Sequence, residues 1–267
     1  MATPLLTLAL AAYAAATAAF LAHLFTRRSR FASAGMALSG AGLAAHTASY
    51  GLDCVATHAM VVTSARGSFS FLALLTVAVM LGLAARHALH ILGAFVMPLA
   101  LLATAVAVMA PEPGPPPEAL RGALFPLHVA TSYLGFAAFT AAFGVAIAWL
   151  VQDAELKSRK PGTVAFALPP LHVLDRIAAG TAAAGLVALA AGTLTGMVFS
   201  KRASGVWWTG EPKAVATVVS GAIYAGALGV RAAFGWRGRR TAWLLIAGFV
   251  LALFTFAGLG HAPLKAG

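Results

Sequence analysis

Apolar runs of about twenty residues, the length that carries a helix across roughly 30 Å of hydrocarbon, recur along the whole chain between short polar tracts. They predict spans near 3–25, 31–50, 68–85, 89–110, 124–151, 173–199, 213–231 and 241–260. A bilayer core offers no water to unpaired backbone groups, so spans of this kind are helical. The expected fold is therefore all-α: a polytopic integral membrane bundle of about eight transmembrane helices, forming one domain over 1–267. The run from Pro4 to Phe25 is too long for a signal-peptide core and leads into Arg27, Arg28 and Arg30 without a cleavage site, so it reads as the first span.

The breaks between runs carry their own signals. Pro111-Glu112-Pro113-Gly114-Pro115-Pro116-Pro117 favours extended polyproline geometry and reads as a semi-rigid spacer. Gln152 to Pro170 reads as a long hinge, stopped by Pro169-Pro170. Pro98 is the one proline deep inside a span. Small residues, among them Gly180, Ala184, Gly185 and Gly192 in the sixth span and Gly221, Gly226 and Gly229 in the seventh, predict close helix approach there.

Composition removes the soluble alternatives, since the chain is 61% hydrophobic and 9% charged. The net charge of +11 does not indicate nucleic acid, because the basic residues lie in short tracts between spans, where they set orientation. Twelve of the eighteen fall in the odd-numbered connections, which predicts both termini on the outer side of a bacterial inner membrane. Cys54 is the only cysteine, so neither a CxxC pair nor a CxxCH attachment site is present, and any cofactor is held non-covalently. GxxxxGK[ST], GxSxG and HExxH are all absent, which argues against nucleotide use and hydrolysis, and no catalytic residue is assigned.

Eight histidines in so apolar a chain require partners, a metal or a wet cavity. The predicted topology puts His46, His58, His128 and His261 toward the outer face and His23, His87, His90 and His172 toward the inner one. His128 lies in the first turn of the fifth span and His261 just past the eighth, at one membrane level, with the loop containing Trp207, Trp208 and Lys213 on the same side. Two imidazoles facing each other across an aromatic shelf meet the needs of haem iron with two axial nitrogens, and Arg202 and Lys213 are placed to pair with propionates. The bland reading stands beside it: interfacial tryptophans are ordinary anchors, and a histidine at a helix end is easily solvated. His46, about one turn (about 6 Å) below the outer end of its span, suits either a metal or an interhelical hydrogen bond to a serine or threonine. His87 and His90 can share a helix face, but no carboxylate or cysteine accompanies them. His58 is expected to be solvated in an outer loop that it shares with Asp53 and Arg66, and His23 beside the basic Arg27-Arg28 marks an interface.

In its second half the chain resembles the cytochrome c assembly membrane family, the CcsA/ResC proteins and their HemX-like and YpjD-like branch. The resemblance runs through Leu127-His128, Tyr133-Leu134-Gly135-Phe136, Leu168-Pro169-Pro170-Leu171, Leu174-Asp175-Arg176 and Trp208 with Glu211-Pro212-Lys213. It continues through Gly235-Trp236-Arg237-Gly238-Arg239-Arg240, Ala247-Gly248-Phe249 and Phe256-Ala257-Gly258 before His261. It implies external haem ligation by His128 and His261, a shelf of Trp207 and Trp208, and His46 as a candidate intramembrane ligand of haem b. The family's WxWDPKExW signature is thinned to Trp208-Thr209-Gly210-Glu211-Pro212-Lys213-Ala214-Val215-Ala216, which is closer to the HemX-like branch.

Three functions follow as expectations. The first is a haem-handling protein of cytochrome c assembly that makes no bond by itself and works with an assembly partner and apocytochrome c. The second is a HemX-like regulatory or scaffolding protein acting through the 152–170 hinge without holding haem. The third is a small-solute transporter, which would call for repeated halves and a midplane site.

Overall fold

The computed structural model describes residues 2–87, 89–112, 124–158, 162, 168–208 and 210–258. The described residues form eight α-helices and no strand: α1 (Ala2–Thr26), α2 (Ser29–Thr57), α3 (Ala65–His87), α4 (Gly93–Met109), α5 (Leu124–Lys157), α6 (Leu171–Ser204), α7 (Pro212–Phe234) and α8 (Arg239–Gly258). A single 3-10 turn, His90–Leu92, leads into α4. Six stretches, in α1, α3, the His90–Met109 segment, α5, α6 and α7, are long and apolar enough to cross a membrane. The chain is a multi-pass helical membrane protein. α2 falls short of that test because it spends part of its length on Ser39, His46 and Ser49, all buried toward its neighbours.

Helices pair where one supplies a glycine and its neighbour a large ring. Without a hydrophobic drive between helices in lipid, this close packing is what holds them together. A Cβ at Gly35 or Gly42 of α2 would collide with Phe20 or Tyr13 of α1, and one at Gly93 would again meet Phe20. Between α5 and α6, Gly185 receives Phe139, Gly135 lies on the Gly185 carbonyl and Leu189, and Gly192 abuts Ser132. Tyr224 of α7 stacks on Phe139 at 3.6 Å between ring centroids, and Phe249 of α8 stacks on Phe143 at 4.4 Å, so α7 and α8 dock on α5 through aromatic faces.

Several expectations are corrected by these contacts. Gly180 of α6 and Gly226 and Gly229 of α7 have open space where a Cβ would stand; α7 buries the stripe Ser220, Tyr224 and Ala227, which turns Gly226 and Gly229 outward and leaves only Gly221 facing Leu186 and Leu189 of α6. α2 continues seven residues beyond the predicted end at 50, so His46 is not one turn from its helix end. α5 likewise stays helical through Lys157, supported by the Lys157–Asp153 pair at 2.8 Å one turn apart, so the hinge is shorter than 152–170. α6 then starts directly after Pro170, as the double proline predicted. His87 closes α3 and His90 opens the separate 3-10 turn, so they share no helix face. His58 caps α2 in the left-handed region, at φ 53°, and is exposed, in keeping with the solvated position expected of it, whereas Arg66 is buried at 3% exposure. Most of the proline-rich spacer lies outside the described residues.

The two ends of the bundle differ. At one, Thr3 donates to Glu112 at 2.8 Å and receives the Arg66 guanidinium at 3.1 Å, which ties the starts of α1 and α3 to the end of α4. At the other, Asp175 near the start of α6 holds the α7–α8 turn. One of its oxygens accepts from Arg231 and from the Gly238 N–H, both at 2.8 Å, and the other meets Arg231 at 2.7 Å.

Candidate functional site

His128 occupies the second turn of α5, half-buried, with its ring laid against α6. Its Nδ1 lies 2.7 Å from the carbonyl oxygen of Gly192. A carbonyl only accepts, so Nδ1 carries the proton of the neutral ring and the basic lone pair sits on Nε2. The seat is made by two glycines one turn apart. A Cβ on Gly196 would stand 2.7 Å from Cε1 and Nδ1 of the ring, so any side chain there would displace the imidazole. Thr195 donates to the same Gly192 carbonyl at 3.0 Å, which helps fix the acceptor in place.

α6 runs on past this seat and ends nine residues beyond Gly196 at Gly205, which adopts φ +77° and donates to the Lys201 carbonyl. Lys201 returns its ammonium to the Gly205 carbonyl at 2.6 Å, and Ser200 donates to the Val206 carbonyl at 2.9 Å. These bonds set the exit of the loop that carries Trp207 and Trp208, whose side chains are 55% and 42% exposed, too open for core residues. Gly210 turns the chain at φ +68°, and Pro212 starts α7 with Glu211 as its N-cap. Lys213 follows in the first turn of α7, its side chain outside the description, and His261 lies outside the described residues altogether.

His46 is placed elsewhere, fully buried between α1, α2 and α3. Its Nε2 lies 2.8 Å from the Ser70 hydroxyl and its Nδ1 3.3 Å from the Tyr13 hydroxyl. The serine partner is one of the two alternatives open at the sequence level. An iron at His46 would have to displace one of these hydroxyls. Among the described residues no group of three or more histidine, cysteine or carboxylate side chains is arranged around a common point.

Two contributors escaped the sequence reading. Gly196 was not singled out, although Gly192-Thr193-Leu194-Thr195-Gly196 has the small-xxx-small spacing of a close helix contact. Asp175 was noted only as part of a resembling stretch, although a buried carboxylate in so acid-poor a chain calls for a cationic partner, which Arg231 supplies.

Comparison with known proteins agrees with this architecture. The chain is 28% identical over 199 residues to a cytochrome c biogenesis protein CcsA of Prochlorococcus marinus strain MIT 9303, covering 63% of each. It is 31% identical over 101 residues to a CcsA of Synechococcus sp. strain RCC307, covering 37% of this chain and 32% of that one. The chain thus spans less than two thirds of these relatives. Among solved structures, the cytochrome c haem lyase CcmF superposes with a TM-score of 0.70 over 98% of this chain and 47% of its own, at 18% identity, a likeness of fold. The family profile described as cytochrome C assembly protein matches residues 62–261, which include the glycine-seated His128, the tryptophan loop and the Asp175 anchor, and the chain belongs to the cytochrome c assembly protein family.

Proposed function

We propose that this protein handles haem in c-type cytochrome assembly, presenting it at the outer face of a bacterial inner membrane. The observation that carries the reading is the His128–Gly192 hydrogen bond, which sets the tautomer and orientation of one imidazole as a carbonyl partner does for metal-bound histidines. His128 and His261 would hold the haem iron, Trp207 and Trp208 would offer the apolar shelf, and Lys213 and Arg202 would pair with the propionates. The cargo is haem b, held without covalent bonds. Haem supplies the porphyrin that a cytochrome's thiols take up. This chain's residues bind and orient it, while apocytochrome c and an assembly partner complete the attachment.

A HemX-like regulatory role is the second reading, and Gly210 favours it. The family signature has an aromatic residue there, whereas φ +68° is a conformation that L side chains rarely adopt, so the loop is built for glycine.

Absorbance of the detergent-purified protein, oxidised and dithionite-reduced, separates the two. A low-spin bis-histidine spectrum that disappears in a His128→Ala/His261→Ala variant is expected. A protein that stays colourless after added haemin gives the regulatory reading the field.

A further inference from the structure

At the end of the bundle opposite His128, an open cavity of about 400 Å³ lies between α5, the start of α6 and the α7–α8 turn. We propose that it binds the phosphate headgroup of an anionic phospholipid. The walls are strongly one-signed: Arg176, Arg231 and Arg237 face it with a single acid, Asp175. That acid is already satisfied by Arg231 and the Gly238 N–H. Arg176 and Arg237 are exposed, and among the described residues neither takes part in an ion pair, so the lining keeps two positive charges to offer an anion. Guanidinium groups suit this task because their planar fork meets two phosphate oxygens at once.

The level of the cavity specifies a lipid rather than a free anion. Trp236, on the same turn, is 37% exposed with Arg240 over its ring at 5.0 Å, and Trp243, one turn into α8, is 54% exposed. Exposed tryptophans with adjacent arginines mark the headgroup depth of a bilayer. Trp149 adds an apolar wall, its indole held by the Leu171 carbonyl at 3.1 Å, against which the glycerol end of a lipid can rest. Basic pockets between transmembrane helices are a recurrent way of recognising anionic headgroups. The Arg231–Asp175 bond gives the cavity a fixed floor, so the two exposed arginines need only turn toward the phosphate.

The test is thermal unfolding of the full chain in detergent with phosphatidylglycerol, phosphatidylcholine or inorganic phosphate added, comparing wild type with Arg176→Gln/Arg237→Gln. Phosphatidylglycerol is expected to raise the midpoint of the wild type by about 3 °C more than phosphatidylcholine does, by mass action on the folded state, and the double variant to lose that difference. Native mass spectrometry of the two single variants gives a second readout that does not depend on the stability of the double one: each is expected to retain less phosphatidylglycerol than wild type. Equal shifts in wild type and double variant, or equal retention in all proteins, would overturn the proposal. An equal response to inorganic phosphate would overturn the lipid assignment in favour of a soluble anion.

Discussion

His46 and His128 are both helix-borne imidazoles in a chain poor in polar side chains, and the protein holds them by different rules. His46 is sealed between three helices, and each ring nitrogen meets a hydroxyl, from Ser70 and from Tyr13. A hydroxyl can donate or accept, so either tautomer of His46 is satisfied, and the ring behaves as a strut that joins α1, α2 and α3. His128 instead leans on a carbonyl, which can only accept, so one tautomer is imposed and Nε2 is the basic nitrogen. The difference teaches that an imidazole in a membrane protein is prepared for a metal by the type of its partner, as much as by its depth.

That contrast predicts a hierarchy of effects. The largest falls on the spectrum: His128→Ala alone removes the low-spin haem signal, while His46→Ala keeps it, as read by reduced-minus-oxidised absorbance. Loss of the signal in both variants would erase the distinction. Next, Gly196→Val pushes a side chain into the His128 ring and weakens haem affinity about tenfold or more, the scale on which loss of the hydrogen bond orienting a ligand histidine acts. Gly229→Ala, where nothing lies within 4 Å, serves as the control and leaves haemin titrations unchanged. Third, His46→Ala leaves two buried hydroxyls without their shared partner and lowers stability by about 2 kcal/mol, seen in detergent unfolding. The smallest is Ser70→Ala, at about 1 kcal/mol for one neutral hydrogen bond. If Ser70→Ala proved as costly as His46→Ala, the strut would rest on one bond instead of two.

Much of this was legible in the apolar pattern. All eight predicted spans correspond to helices, because a run of apolar residues flanked by arginines has few other outcomes in a bilayer. Helix ends were less legible: hydropathy reports contact with lipid, whereas Asp153 to Lys157 continue α5 through backbone bonds and an ion pair that no hydropathy window registers. His128 was recognisable from its place in the first turns of a span, yet its seat was not. Which of the many glycines receives a ring depends on the register of α5 against α6, and that is set by Phe139 at Gly185 and Ser132 at Gly192, contacts far apart in sequence. The Asp175–Arg231 tie was hidden for the same reason, its partners lying 56 residues apart.

The two longest helices have a mechanical consequence. α5 and α6 contain 34 residues each. At 1.5 Å per residue each rod is about 51 Å long, well beyond about 30 Å of hydrocarbon, so the pair either stands proud of the lipid or leans. Interlocked from Phe139 to His128 against one glycine face, they lean as a single plank rather than sliding past each other. A thicker or thinner bilayer would then change the slope of the plank and leave the grip on the His128 ring intact, insulating the site from the membrane's own dimensions.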